Sequence, residues 1–111
     1  MSQFHLINPV NGKVAKSFER GQSYDLEATR RVYVGPLSTA VILHRELFDC
    51  DEGEYAIYPV AGLFLAMTLI IPVEHYQLEA CRKTFQTPVF NFGTQRQQIE
   101  EGSVISRLIA L

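Results

Sequence analysis

The sequence contains no tryptophan and only two cysteines, Cys50 and Cys81, among 111 residues. The cysteines are far apart, so they do not suggest the disulfide framework of a small secreted domain. The first residues, 1–6, also lack the basic start and apolar stretch of a signal peptide. We therefore predict a cytoplasmic protein with reduced thiols.

An excess of charge of one sign is also missing, because 10 basic residues are balanced by 12 acidic ones, for a formal net charge of -2. A general nucleic-acid binder carries a basic excess, so this activity is not expected. The sequence has neither a G-x-G-x-x-G nor a Walker phosphate loop, and we predict no cofactor. The expected partners are proteins or small molecules.

A long uninterrupted apolar run is lacking as well. Residues 55–73 are almost entirely apolar, but Pro59, Gly62 and Pro72 divide them. The pieces are shorter than the roughly 20 apolar residues that a membrane span requires. We predict that the run forms the core of a single domain, residues 1–111, without a membrane span. One face of the run is expected to contact a second copy in a homodimer.

Several short segments have the composition of strands. Residues 3–7 and 13–18, separated by a turn-rich segment, predict an N-terminal hairpin. Residues 31–34 are β-branched and aromatic, and residues 55–60 form another strand candidate ending near a proline.

Other segments are ambiguous or indicate helix. Residues 37–48 fit a helix or a buried strand, and residues 63–71 favour helix first and strand in their second half. Residues 73–85 predict a helix, with acid in the first turn and base in the last. The tail, 94–111, carries a partial helical stripe, although its last eight residues also fit an edge strand. The predicted fold class is α+β: a small, strongly bent antiparallel sheet of the SH3-like barrel type with one or two helices.

No catalytic or metal-binding constellation is recognisable. On the predicted helix, His75 and Cys81 point to opposite sides, whereas His44 and Cys50 stay open as a thiol–imidazole pair. The acidic segment 49–54 lacks the terminal ligand of a calcium loop and is interpreted as a solvated turn. A structural zinc site normally includes two ligands close together in sequence, and this sequence has no such pair. We predict no catalytic residue and no metal.

Arg30 and Arg31 precede the aromatic Tyr33 and form a candidate anion clamp, because guanidinium groups bind carboxylates and phosphates through two hydrogen bonds. Adjacent strand residues point to opposite faces, so one of the two arginines is expected to face solvent.

Three short segments occur in a suggestive order. They are Ser-Gln-Phe at 2–4, Arg-Arg-Val-Tyr-Val-Gly-Pro-Leu at 30–37 and Asp-Glu-Gly-Glu-Tyr at 51–55. In these segments the sequence resembles the CcdB-type plasmid-maintenance toxins. The resemblance implies a dimeric, barrel-like antiparallel sheet with a C-terminal helix that poisons DNA gyrase and is neutralised by an antitoxin.

The leading hypothesis is a non-enzymatic protein-interaction module, of the toxin–antitoxin or mobile-element inhibitor type, that acts by binding a protein target. Its predicted interaction residues are Arg30, Arg31, Tyr33, Tyr58, Phe64, Met67, Ile109 and Leu111. The alternative is a small ligand-binding protein or enzyme whose pocket is lined by Tyr33, Tyr55, Tyr58 and His44.

Overall fold

The computed structural model describes residues 2–60 and 68–111, which form eleven β-strands and no helix. The strands are β1 (Ser2–Ile7), β2 (Val14–Glu19), β3 (Ser23–Glu27), β4 (Val32–Val34), β5 (Thr39–Cys50), β6 (Gly53–Pro59), β7 (Leu69–Ile70), β8 (Glu74–Leu78), β9 (Cys81–Asn91), β10 (Gln97–Ile99) and β11 (Val104–Ala110). The architecture of this part of the chain is all-β.

The strands form three antiparallel sheets. A five-stranded sheet has the order β2-β1-β5-β9-β7, a four-stranded sheet has the order β3-β11-β6-β8, and β10 pairs with β4. The longest strand, β5, lies between β1 and β9 and therefore joins the N-terminal hairpin to the rest of its sheet.

The core consists of two apolar clusters. Aromatic residues dominate the first cluster, in which Phe4 stacks on Phe18 with ring centroids 4.6 Å apart and meets Phe48 edge-on at 5.9 Å. Aliphatic residues such as Ile42 and Ile105 dominate the second. Edge-on and stacked rings fix side-chain orientation as well as removing apolar surface from water, so the first cluster holds the hairpin firmly against β5.

The predicted α+β class is wrong. Residues 73–85, predicted as a helix, form β8 and the first half of β9. In β9 every second residue from Phe85 to Asn91 is buried, the period of a strand with one face against the core. The charges at the two ends of this segment suited a helix, but pairing of β9 with β5 decides the structure.

The ambiguous segments also form strands where they are described. Residues 37–48 contribute most of β5, and the C-terminal tail forms β10 and β11. Of residues 63–71, positions 63–67 lie outside the described residues, and Leu69–Ile70 is β7. The predicted N-terminal hairpin is confirmed as the β1–β2 pair.

Within residues 2–60 and 68–111, no helix is long and apolar enough to cross a membrane.

Candidate ligand-binding site

The largest register shift in the five-stranded sheet lies between β5 and β9. The register jumps between Leu43 and Leu47, so that three β5 residues, 44–46, lie opposite Phe85 alone. Extra residues in one strand bend it and redirect its side chains, and such bulges are frequent beside functional sites. The backbone of β5 thereby presents three consecutive residues in directions that a regular strand does not allow.

Two further irregularities border the same region. In the hairpin, the register shifts between Leu6 and Ile7, where Ala15 is the extra residue. In the four-stranded sheet, Ile105 of β11 is extra at the end of β3, next to Glu27. Ala15 and Glu27 both line cavities that also contain residues of the β5 bulge, so the three irregularities shape one surface.

Two adjoining cavities open on this surface. The polar cavity has a volume of about 150 Å³ and is lined by Glu27, Ala28, Thr29, Arg45, Glu46, Glu101 and Gly102. The apolar groove has a volume of about 450 Å³ and is lined by Leu6, Ile7, Asn8, Pro9, Val10, Ala15, Tyr24, Arg45, Glu46 and Leu47. Arg45 and Glu46 belong to both cavities, which together we call the Glu46 cleft.

Glu46 is the unusual residue of the cleft. Its Oε2 atom is buried and has no hydrogen-bond partner within the described part of the chain. An ionised carboxylate oxygen can only accept hydrogen bonds, and leaving a buried acceptor unpaired costs about 1–3 kcal/mol or more. Glu46 therefore carries an unused acceptor atom, and the residue lines both the polar cavity and the apolar groove.

Tyr24 lines the groove near this carboxylate. Its ring meets Phe18 and Phe48 edge-on, with centroids 5.6 and 5.4 Å apart. Burial raises the pKa of Tyr24, and the negative charges of Glu46, Glu27 and Asp25 raise it further. The tyrosine is thus held rigidly as a neutral phenol in a region of negative potential.

His44 fixes the bulge from the inside. Its Nδ1 lies 2.7 Å from the Glu27 carbonyl oxygen, and its Nε2 lies 2.7 Å from Thr87 Oγ1. A carbonyl only accepts, so Nδ1 carries the proton and Nε2 accepts from the Thr87 hydroxyl. Thr87 Oγ1 is in turn 2.9 Å from Ser106 Oγ. This buried network ties β5 to β3, β9 and β11 beneath the cleft.

The histidine is held neutral by its surroundings. Burial lowers the pKa of His44, and this effect outweighs the hydrogen bond to Glu27 and the attraction of Glu46, which raise it. The neutral ring matches the hydrogen-bond pattern of the network, in which one ring nitrogen donates and the other accepts.

Arg45 supplies the positive charge of the polar cavity. Its Nη2 donates to the Thr29 carbonyl at 3.4 Å and lies 3.8 Å from Glu101 Oε1. Both side chains of this ion pair are largely exposed, at 72% and 67%, so the pair contributes little stability. Three carboxylates therefore share the cavity with a single, loosely held guanidinium.

Most of the predicted interaction residues lie elsewhere. Arg31 pairs with Glu100 at 3.2 Å, and the guanidinium of Arg96 lies 4.4 Å from the centroid of the Tyr33 ring. The predicted interaction residues that the structure describes do not line the Glu46 cleft; they are Arg30, Arg31, Tyr33, Tyr58, Ile109 and Leu111. Phe64 and Met67 lie outside the described residues. The involvement of these eight residues in an interaction stays a prediction.

The pocket predicted from tyrosines and a histidine is not assembled. Tyr55 is completely buried, and its hydroxyl donates to the Gln3 and Asp51 carbonyls at 2.7 and 2.8 Å. His44 is buried in its own network, whereas Tyr33 is 46% exposed. These side chains therefore do not line a common cavity among those described above.

The candidate thiol–imidazole pair of His44 and Cys50 is not formed either. Both ring nitrogens of His44 have other partners, and Cys50 lies directly opposite Cys81 on β9. Burial raises the pKa of Cys50 to about 12, so its thiol is a poor nucleophile. Within the described ranges, no group of three or more His, Cys, Asp or Glu side chains is arranged to hold a metal ion.

The sequence contains one weak signal for Glu46. It is a carboxylate within a strand-like apolar stretch, where a charge is unexpected unless it is paired or used. Its place at a bulge depends on pairing with β9, which is distant in sequence.

The described fold is similar to that of phage dUTPases. The Staphylococcus bacteriophage 80alpha dUTPase with dUpNHpp has a TM-score of 0.73 at 14% identity, covering 100% of this chain and 82% of that chain. The dUTPase of phage phi11 of S. aureus, in a structure concerned with coordination of a structural Mg(II) ion, has a TM-score of 0.71 at 16% identity, covering 100% and 90%. No family model matches the sequence, and no curated protein sequence matches it. At these identities the likeness establishes the fold alone.

The resemblance to CcdB-type toxins is therefore wrong. The segments that suggested it are two strand starts and the short strand β4 with its flanking turns, and β11 occupies the place of the implied C-terminal helix. The hypothesis of a non-enzymatic interaction module of the toxin or mobile-element type is wrong with it. The alternative, a small ligand-binding protein or enzyme, stays a proposal.

Proposed function

We propose that this chain binds a small organic molecule in the Glu46 cleft. The observation that carries the proposal is an apolar groove of about 450 Å³ lined in part by Glu46, a residue whose buried Oε2 has no partner within the described part of the chain. Ligand sites in proteins have volumes of roughly 300–1,000 Å³ and combine apolar walls with a few polar groups that fix orientation. The groove and Glu46 have these two properties.

The rigidity of the surrounding residues supports the proposal. The aromatic contacts of Tyr24 and the buried network of His44 hold the walls of the cleft before any ligand arrives. A preformed site loses less conformational entropy on binding.

A thermal-shift screen tests the proposal. The panel should contain neutral, cationic and anionic aromatic compounds, together with deoxyuridine and dUTP, because the similar phage dUTPase was solved with dUpNHpp. We expect at least one compound to raise the melting temperature. Ala15, which is exposed and lines the groove, should be replaced by phenylalanine to fill it.

The matched control is Ala80→Phe, which adds the same ring at an exposed turn that does not line the cleft. Ala15→Phe should abolish the thermal shift, and Ala80→Phe should preserve it. A panel without any stabilising compound, or binding that survives Ala15→Phe, would overturn the proposal.

Hydrolysis of a nucleoside triphosphate is a second candidate function, supported by the structural match that covers the whole chain. Pyrophosphate release from dUTP, measured with and without Mg²⁺, tests it. Absence of release above the uncatalysed rate at micromolar protein would remove this candidate.

The predicted homodimer is also kept as a proposal. Ile70 is 50% exposed and pairs with Phe90, which lies on the same face of the sheet as the exposed Val41. Light scattering at several concentrations tests it, and a monomer throughout would refute it. We also propose a cytoplasmic location, which the free thiols of Cys50 and Cys81 support.

A further inference from the structure

We infer that the Glu46 cleft selects an organic cation, with an apolar or aromatic body in the groove and an ammonium or amidinium group at Glu46. This inference rests on the proposed function and names its ligand class. It is carried by the unpaired Glu46 oxygen, the charges of the polar cavity and the aromatic wall.

The Glu46 oxygen requires a hydrogen-bond donor. It is buried without a partner, and the Glu46 residue that carries it lines both the groove and the polar cavity. A second anion at this place would add like-charge repulsion to the cost of burial. An N–H group satisfies the oxygen, and a charged N–H group forms the stronger hydrogen bond.

The charges around the oxygen favour a cation. Glu27, Glu46 and Glu101 line the polar cavity, and the single guanidinium there, that of Arg45, lies 3.8 Å from Glu101. Adding an ammonium group therefore reduces an imbalance of charge, whereas adding a phosphate enlarges it.

Two basic side chains near the cleft already interact with other residues. Arg107 Nε donates to Asp25 at 2.7 Å, and Lys16 Nζ lies 5.1 Å from the centroid of the Phe18 ring. Binding a phosphate next to the cleft would require these contacts to be given up. Arg107 and Lys16 therefore do not offer a free pair of cations to a phosphate beside the cleft.

The aromatic wall suits the same ligand. Tyr24 lines the groove, and its ring is fixed by Phe18 and Phe48. A cation over a tyrosine face is attracted by the negative face of the ring, and more strongly when water is excluded. The combination of one carboxylate and one aromatic ring is well suited to a protonated amine.

Three probes with the same body separate the alternatives: 4-phenylbutylamine, 4-phenylbutanol and 4-phenylbutyrate. Their affinities should be measured by calorimetry at low and high salt. We expect the amine to bind at least tenfold more tightly than the alcohol and the carboxylate to bind most weakly, because charge-assisted hydrogen bonds are the stronger ones. High salt should reduce the advantage of the amine.

Glu46→Gln removes the charge while keeping the shape, and it should weaken the amine by about ten- to a hundredfold with little effect on the alcohol. The matched control Glu79→Gln makes the same charge change at an exposed position outside the cleft. It should change the affinity for the amine by less than about threefold. If Glu46→Gln fails to fold, the order of the affinities of the three probes for the wild type, and the salt dependence of that order, still test the preference for a cation.

Failure of this inference is distinguishable from failure of the proposed function. Suppose that the alcohol, the carboxylate or dUTP binds as tightly as the amine, and that Ala15→Phe abolishes this binding. The cleft would then still be a ligand site, but its preference for cations would be overturned. A lack of binding by every probe and panel compound would overturn both.

Discussion

Replacing His44 by alanine should destabilise the protein strongly. The ring is 4% exposed and has two partners, the Glu27 carbonyl and the Thr87 hydroxyl, each at 2.7 Å. The variant leaves these two buried groups without their partner, at about 1–3 kcal/mol each, and opens a cavity in addition. Entry of water would recover part of the cost, so we expect a loss of about 2–5 kcal/mol in the free energy of unfolding.

Urea unfolding followed by circular dichroism measures this loss. A typical domain has a stability of only about 5–15 kcal/mol, so the shift in midpoint should be large. His75 is exposed on β8, and His75→Ala should change stability by less than about 0.5 kcal/mol. A loss below about 1 kcal/mol for His44→Ala would refute the assigned network.

The same network predicts a pH dependence. The pKa of His44 in the folded protein is lowered below the ordinary value of 6.5. Above pH 6.5 the ring is neutral in both states, and below it the unfolded chain takes up the proton first. The stability of the wild type should therefore fall as the pH drops below 6.5 towards the folded pKa.

Glu46 is the charged group whose attraction opposes the lowering of the His44 pKa, while Thr87 and Ser106 on the other side are neutral. Between pH 7 and 5, His44→Ala should lose the part of the pH dependence that belongs to the ring. An unchanged pH slope in the variant would contradict the buried neutral histidine.

Two further predictions concern other buried contacts. Cys50 and Cys81 are direct cross-strand partners, whose Cα separation of about 4.5–5.5 Å suits a disulfide. Diamide should react first with the partly exposed Cys81, and slow attack by Cys50 should then close the disulfide, with a loss of two hydrogen atoms detected by mass spectrometry. Cys81→Ser is the control, and an unreacted native protein would contradict the pairing. The side chain of Asn91 is fully buried, accepts hydrogen bonds from Thr68 and Gly93, and donates to two carbonyls. Asn91→Ala should lower the free energy of unfolding, measured in urea, by about 3–5 kcal/mol. A loss below about 1 kcal/mol would argue against this arrangement.

Local patterns were sufficient for part of the fold. The N-terminal hairpin could be predicted because its two strands are adjacent in sequence and a turn-rich segment, 8–12, joins them. The segment 73–85 was misassigned because its helix signals, an acidic start and a basic end, are weak and local. Pairing with β5 brings in many more contacts than the end charges supply.

The site was harder to predict than the strands. Glu46, Tyr24 and Ala15 become neighbours only because three strand pairs lose register at the same corner. Register is a property of two strands, and the partner of the β5 bulge is about forty residues away in sequence. The predicted tyrosine and histidine pocket relied on residue types alone, and Tyr55 shows that a polar aromatic can be satisfied entirely inside the core.

The bulge in β5 places an unusual constraint on insertions and deletions. Because three residues oppose one, the excess is two, and the buried positions Ile42, His44, Phe48 and Cys50 keep the same parity on both sides of it. Deleting a single residue from 44–46 would turn Phe48 and Cys50 away from the core, whereas deleting two would restore a regular ladder with the core in phase and the cleft erased. Gain or loss of the cleft is therefore a change of two residues at a time, a step that leaves the rest of the sheet in place.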